Sequence, residues 1–253
     1  MKLSDLQAVE LFHLQVLRVL SAGPDKERLA VKGGCNLRFF FGSKRYSEDM
    51  DLDAFGISRH VLKAKVDRIL ESPPLRLSLR SRGIEVAAFT SPKQTETTQR
   101  WKAQLAVEGR TLSLHTKLEF SRRQSRAAVR VEAVNQDLLA EYQLMPLLAP
   151  HYPRGEAIQQ KVKALVGRSS AQARDVFDLA VLFSMGAELG RLLKPVEAEL
   201  PAAIERAREM TRADFNSQVV AFLDPSVLED YRAPEAWHAL QDSVVSGLRQ
   251  GLP

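Results

Sequence analysis

The order of apolar and polar positions divides the chain into a strand-rich first half and a helical second half. Residues 3 to 21 place Leu6, Val9, Leu17 and Leu20 at helical spacing, which predicts an amphipathic helix ended by Ser21-Ala22-Gly23-Pro24. Leu29-Ala30-Val31 predicts a short apolar strand running into Gly33-Gly34, with a helical segment over Asn36 to Phe41. Asp49 to Phe55 alternates acidic and apolar side chains, the period of a strand with one polar face. Ser58 is placed to cap a helix reaching about Leu70. Ile84 to Phe89, Ala103 to Glu108 and Leu112 to Phe120 predict three more strands, the last two joined across Gly109-Arg110. From about Asn135 the strand pattern fades, and Gln136 to Leu148, Ala157 to Val166 and Ala173 to Met185 predict helices. Strands before helices predict an α+β fold: an α+β domain over 1–132 and a helical domain over 133–253.

Composition narrows the class. Of 253 residues, 45% are hydrophobic and 26% charged, ordinary for a globular chain. Cys35 is the single cysteine, which excludes an internal disulfide and a multi-cysteine zinc site. The opening MKLSDLQAVE lacks a basic-then-apolar pattern, and no apolar run approaches the roughly 20 residues that span a bilayer. A cytoplasmic chain with no membrane segment is the expectation. The net charge of +5 is compatible with a polyanionic partner. Arginine gathers at Arg76, Arg80 and Arg82, and again at Arg122, Arg123, Arg126 and Arg130. If helical, Arg122, Arg126 and Arg130 share one face and suit a phosphate backbone, or form a solvated basic surface. The five histidines lack metal-ligand spacing, and only His115 falls near the chemistry described next.

That chemistry lies in Lys32-Gly33-Gly34-Cys35-Asn36-Leu37 and Arg45-Tyr46-Ser47-Glu48-Asp49-Met50-Asp51-Leu52-Asp53. Two glycines after a strand let the backbone approach a ligand and present N–H groups to phosphate oxygens. Aspartates two apart on a strand project to one face, where both can ligate Mg²⁺. Taken alone, Gly-Gly is a turn and an acidic strand is a solvated edge. Together they suit phosphoryl or nucleotidyl transfer. Glu119 is either a third carboxylate for the cation or the partner of Lys117 or Arg122. Asp53 continues the polar face one step beyond the pair. Lys44 and Arg45 either neutralise a triphosphate or solvate their loop.

The segment resembles the DNA polymerase β-type nucleotidyltransferases, and within them the AbiEii/AbiGii toxin family, which includes the MenT toxins. The resemblance rests on Lys32-Gly33-Gly34, Leu37, Arg45, Ser47, Asp49 and Asp51, whereas Cys35 and Asn36 depart from the family's usual small pair. Gln160-Lys161-Val162-Lys163-Ala164-Leu165 and Arg174-Asp175-Val176-Phe177-Asp178-Leu179 resemble two further family elements. What the resemblance implies is a mixed sheet with flanking helices followed by a helical domain that contributes Lys161 and Asp175. Asp49, Asp51, Lys161 and Asp175 are implied as catalytic, with Asp178 the alternative to Asp175. Gly33, Gly34, Arg45, Ser47 and Lys161 are implied to bind the nucleotide, and Asp49, Asp51 and Glu119 to bind Mg²⁺. The implied activity is transfer of nucleotides from an NTP to the 3′ acceptor end of tRNA, by the toxin of a type IV-like toxin–antitoxin pair whose partner is a cognate antitoxin. The alternatives are transfer to a protein or small molecule, and a catalytically idle RNA-binding protein of the same fold.

Overall fold

The computed structural model describes residues 3–123, 128–186 and 188–252. The chain forms two compact units, Met1–Phe40 with Tyr46–Tyr152, and Phe41–Arg45 with Pro153–Pro253.

The first unit begins with α1 (Asp5–Ala22), whose start is fixed by a capping box. Ser4 Oγ accepts from the Gln7 N–H at 3.2 Å, and Gln7 Oε1 accepts from the Ser4 N–H at 2.9 Å. There follow β1 (Leu29–Lys32), α2 (Gly33–Phe40), β2 (Met50–Phe55), α3 (Arg59–Glu71) and α4 (Pro73–Arg80). The long strands β3 (Ile84–Gln94), β4 (Thr98–Val107) and β5 (Leu114–Arg123) come next, then β6 (Arg130–Ala133), α5 (Gln136–Glu141) and β7 (Leu148–His151). The seven strands form one mixed sheet in the order β3-β4-β5-β2-β1-β7-β6. The β2/β5 and β1/β7 pairs are parallel and the others antiparallel. One face of the sheet buries Val31, Met50, Leu52, Trp101, Leu105, Leu118 and Phe120 in a core shared with apolar residues of α1, α3 and α4. Alternation then sends the side chains between them to the opposite face.

The predicted α+β order holds, with one displaced element. The sequence pattern carries a helix from Gln136 to Leu148, but α5 ends at Glu141 and Leu148–His151 is a strand. Gln143 takes a left-handed φ of 51°, and Pro146 lacks the N–H a helix would need, so the chain leaves the helix there. Residues 133–152, grouped by the sequence with the helical part, therefore complete the sheet unit. Four-residue strands such as β6, exposed along its length, are too short and polar to show a period.

The second unit contains α6 (Arg154–Gly167), α7 (Ala173–Ser184), α8 (Leu189–Leu193), α9 (Leu200–Glu209), α10 (Arg212–Gln218) and α11 (Pro234–Arg249). Phe177, Phe215 and Trp237 are buried at its centre, with Phe215 and Trp237 stacked at 4.7 Å. Phe41–Arg45 joins this unit through an Arg45–Leu223 bridge and the Asp224 N–H to the Lys44 carbonyl at 2.8 Å. Among the described residues, no helix is long and apolar enough to cross a membrane.

Candidate active site

Strand β2 positions the acidic residues. Met50 and Leu52 enter the core, so Asp49, Asp51 and Asp53 stand along the other face. Their surroundings differ. Asp53 is buried and saturated. Lys32 Nζ lies 2.6 Å from its Oδ1, the Tyr152 hydroxyl donates to its Oδ2 at 2.5 Å, and Arg123 Nε stands 3.4 Å away. Lys32 also donates to Ser121 Oγ at 2.8 Å, so Asp53 serves to hold the Lys32 ammonium in place.

Asp49 is held by its backbone and its side chain together. Its carbonyl accepts from Ser47 Oγ at 2.8 Å and from Cys35 Sγ at 3.3 Å. Its Oδ1 accepts the Lys117 N–H at 3.1 Å, and its Oδ2 pairs with Lys117 Nζ at 2.7 Å. The preceding Glu48 carbonyl accepts the Thr116 hydroxyl at 2.6 Å. Thr116 Oγ1 meets His13 Nε2 at 2.7 Å. Because the Thr116 proton goes to Glu48, the ring nitrogen must donate, which specifies the Nε2–H tautomer. Full burial agrees with a neutral ring, pushing His13 down to about 3. Sequence reasoning missed His13 and Thr116. Both lie on the core side of their elements, where the pattern marks only burial.

Asp51 is the exception among the three. Among the described residues its carboxylate has neither a hydrogen bond nor an ion pair. Burial raises its pKa, and the charges of Glu119 and Asp49 add to this against the opposing pull of Lys32 and Lys117. Gly33 opens α2 beside it with φ +65°, and a Cβ at that position would come within 3.3 Å of Asp51 Oδ2. Only glycine adopts that backbone readily and leaves the carboxylate its room. The first N–H groups of α2 have no partner within the helix. Glu119 stands opposite Asp51 in the β2/β5 register. Its partner is neither Lys117 nor Arg122 but Arg100 on β4, whose Nε and Nη2 each lie 2.6 Å from Oε2. With Asp49 turned onto Lys117 and Glu119 onto Arg100, no three His, Cys, Asp or Glu side chains among the described residues stand arranged to hold a metal ion. His115 is exposed on the same strand.

Cys35 and Asn36, the departures from the family pattern, point into the interior, each about 1% exposed. Asn36 Nδ2 donates to the Tyr152 carbonyl at 2.9 Å and its Oδ1 meets His151 Nδ1 at 2.9 Å, tying α2 to β7. Neither side chain lines the acidic face.

The second motif builds a separate cluster within the helical unit. Lys161 Nζ on α6 lies 3.1 Å from Asp175 Oδ1 and 2.6 Å from Asp178 Oδ2, both on α7. Arg168 Nε donates to Asp175 Oδ2 at 3.0 Å. The Arg45 guanidinium grips Asp178 through Nη2 at 3.1 Å to both oxygens. Asp175 and Asp178 are wholly buried, and Arg45 and Lys161 nearly so. Burial alone would raise the Asp178 pKa, but Arg45 and Lys161 overturn it and hold the carboxyl below its ordinary value. The two acids in turn hold Lys161 above its own. Asp175 thus pairs with Lys161 and Arg168 rather than with Arg174 beside it. Arg45, expected at the nucleotide, is committed to Asp178.

The arginine tract is not one helix. Arg122 and Arg123 end β5 and Arg130 begins β6, while Arg126 lies outside the described residues. Arg122 pairs with Glu96 at 2.5 Å, Arg123 with Asp53, and Arg130 with Glu132 at 3.5 Å.

Comparison with known proteins bears on this arrangement. Residues 15–250 match the model of the family described as nucleotidyl transferase AbiEii toxin, type IV TA system. No curated protein matches the chain. Among solved structures, MenT4, a nucleotidyltransferase toxin from Mycobacterium tuberculosis, superposes with a TM-score of 0.68 at 20% identity, covering 96% of this chain and 84% of its own. JHP933 from Helicobacter pylori gives a TM-score of 0.61 at 18% identity, covering 98% of this chain and 95% of its own. At such identities the likeness is one of fold.

Proposed function

The chain belongs to the AbiEii family of nucleotidyltransferase toxins, and on that premise we propose that it transfers a nucleotide from an NTP to the 3′ end of tRNA, with Mg²⁺ as cofactor. The observation that carries the reading is Asp51: a carboxylate with no bonded partner among the described residues, beside Asp49 and Glu119, facing the glycine start of α2. Carboxylate oxygens are the hard donors that Mg²⁺ takes, and a cation would offset the burial and the like charges that raise Asp51. When bound, the cation would neutralise triphosphate charge and make the acceptor hydroxyl more acidic.

The residues of the chain perform the rest. Asp49 and Asp51 would hold the cation, Asp49 by release from the Lys117 ammonium and Glu119 available by release from Arg100. The first N–H groups of α2, at Gly33 and Gly34, would bond phosphate oxygens. Ser47 and Thr116 keep the Asp49 backbone in place. The acceptor 3′-oxygen attacks the α-phosphorus, its proton passing to a free carboxylate oxygen of Asp51. The bond from the α-phosphorus to the bridging oxygen breaks, and pyrophosphate leaves. Within the helical unit, Asp175 and Asp178 position the Lys161 ammonium and Arg45 bonds Asp178, the arrangement expected of the lysine that the resemblance assigns to the nucleotide. A cognate antitoxin is the partner the toxin–antitoxin family suggests.

The test is incubation of the protein with total tRNA, Mg²⁺ and each α-labelled NTP in turn. Label is expected at the tRNA 3′ end with the wild type and not with Asp49→Ala. Label on a co-incubated protein or small molecule, with none on RNA, would overturn the acceptor.

A further inference from the structure

The face that carries Asp49, Asp51 and Glu119 continues across β5, β4 and β3, and its charge changes sign on the way. Lys117 on β5 stands directly opposite Lys102 on β4, and Arg100 on β4 directly opposite Lys93 on β3. Both are like-charged cross-strand pairs, an arrangement that costs stability in a sheet. Asp49 neutralises Lys117, and Glu119 neutralises Arg100. Lys93 and Lys102 are exposed and have no acidic partner among the described residues. Two further observations narrow what would offset the cost. First, β3 shifts register between Thr90 and Lys93, and this irregularity brings Lys93 opposite Arg100. Second, Thr90, Gln104 and His115 complete this stretch of the face, so among the described residues there it carries no Phe, Tyr or Trp for base stacking.

From these pairs we propose that the open face of β3, β4 and β5 is the docking surface for the phosphate backbone of the acceptor RNA, with Lys93 and Lys102 as its contacts. The inference rests on the tRNA reading above and deepens it by locating the acceptor. From β2 to β3 there are three strand spacings of about 4.8 Å, about 14 Å in all, the rise of roughly four stacked nucleotides at ~3.4 Å each. A strand laid across them has its phosphates over Lys93 and Lys102 and its end toward the carboxylates. Lysine charge on an open strand face recognises backbone rather than sequence. Among the described members of the arginine tract, Arg122, Arg123 and Arg130 are already paired with acidic residues.

The experiment compares the wild type, the double variant Lys93→Glu/Lys102→Glu, and Arg68→Glu, an exposed charge reversal on α3. Binding of total tRNA is measured against salt with Mg²⁺ and without NTP, alongside label transfer to the same tRNA. The expected result is an affinity loss of about tenfold or more in the double variant and a salt dependence shallower by about one to two. The KM for tRNA should rise in parallel, and Arg68→Glu should retain wild-type binding. Unchanged tRNA affinity and salt slope in the double variant, while the wild type still labels tRNA, would overturn the docking surface and leave the tRNA reading standing. A wild type that neither binds nor labels tRNA would overturn both.

Discussion

Two groups of aspartates in this chain show opposite electrostatics. On the sheet face, Asp51 is half-buried beside two other carboxylates with no cationic side chain bonded to it among the described residues, and its pKa is raised. In the helical unit, Asp178 is buried more deeply still, yet Arg45 and Lys161 bond it directly and its pKa is lowered. The same side chain, withdrawn from water in both places, is stabilised as an anion only where its partners come with it. The difference fits the roles proposed above: Asp51 open to an incoming cation, Asp178 already complete. The second motif therefore acts first as architecture: Asp175 and Asp178 fix the position of Lys161.

The largest effect that would break this comparison is expected at Asp178. Asp178→Ala leaves Arg45 and Lys161 buried with one carboxylate fewer, and should destabilise the helical unit by about 3–5 kcal/mol in chemical denaturation. Asp51→Asn removes a carboxylate that the fold disfavours when ionised, so its stability at neutral pH should equal or exceed that of the wild type. Lys161→Ala is by the same reasoning a poor test of catalysis alone, because it uncovers two buried carboxylates. A smaller effect separates the two by pH. The folded-state value of Asp178 is depressed, so the stability it contributes is complete above the ordinary 3.8 and is lost as pH falls through the lower folded value. Asp51 is raised, so ionisation opposes folding there, and acidification through its folded value should improve the wild type relative to Asp51→Asn. Denaturation midpoints of wild type, Asp178→Asn and Asp51→Asn, followed from neutral pH to about pH 3, should diverge in these opposite senses. Parallel curves would show that the two environments are alike.

Much of the acidic face was legible in the sequence because its information is local. The alternation of β2 places Asp49, Asp51 and Asp53 on one face without reference to any other strand, and Gly33 announces the close approach that Asp51 requires. What stayed hidden depends on register and on contacts between distant segments. Nothing in the chain order says that Arg100 meets Glu119, that Lys102 faces Lys117, or that Arg45 reaches Asp178 133 residues away. The arginine run was conspicuous in sequence, and its described members Arg122, Arg123 and Arg130 are paired with acidic residues, whereas Lys93 and Lys102 look unremarkable until the strands are paired. Strand β7 was hidden for another reason, since four residues following Pro146 carry too short a pattern to be separated from the helix before them.

The central claim is that Asp51 is kept for a divalent cation, and direct titration of that cation tests it most simply. Mn²⁺, used in place of Mg²⁺ for its paramagnetic signal, should bind the wild-type protein in the presence of NTP and should bind at least tenfold more weakly to Asp51→Asn, with the variant's fold and stability retained. Mn²⁺ affinity unchanged by Asp51→Asn would contradict the account.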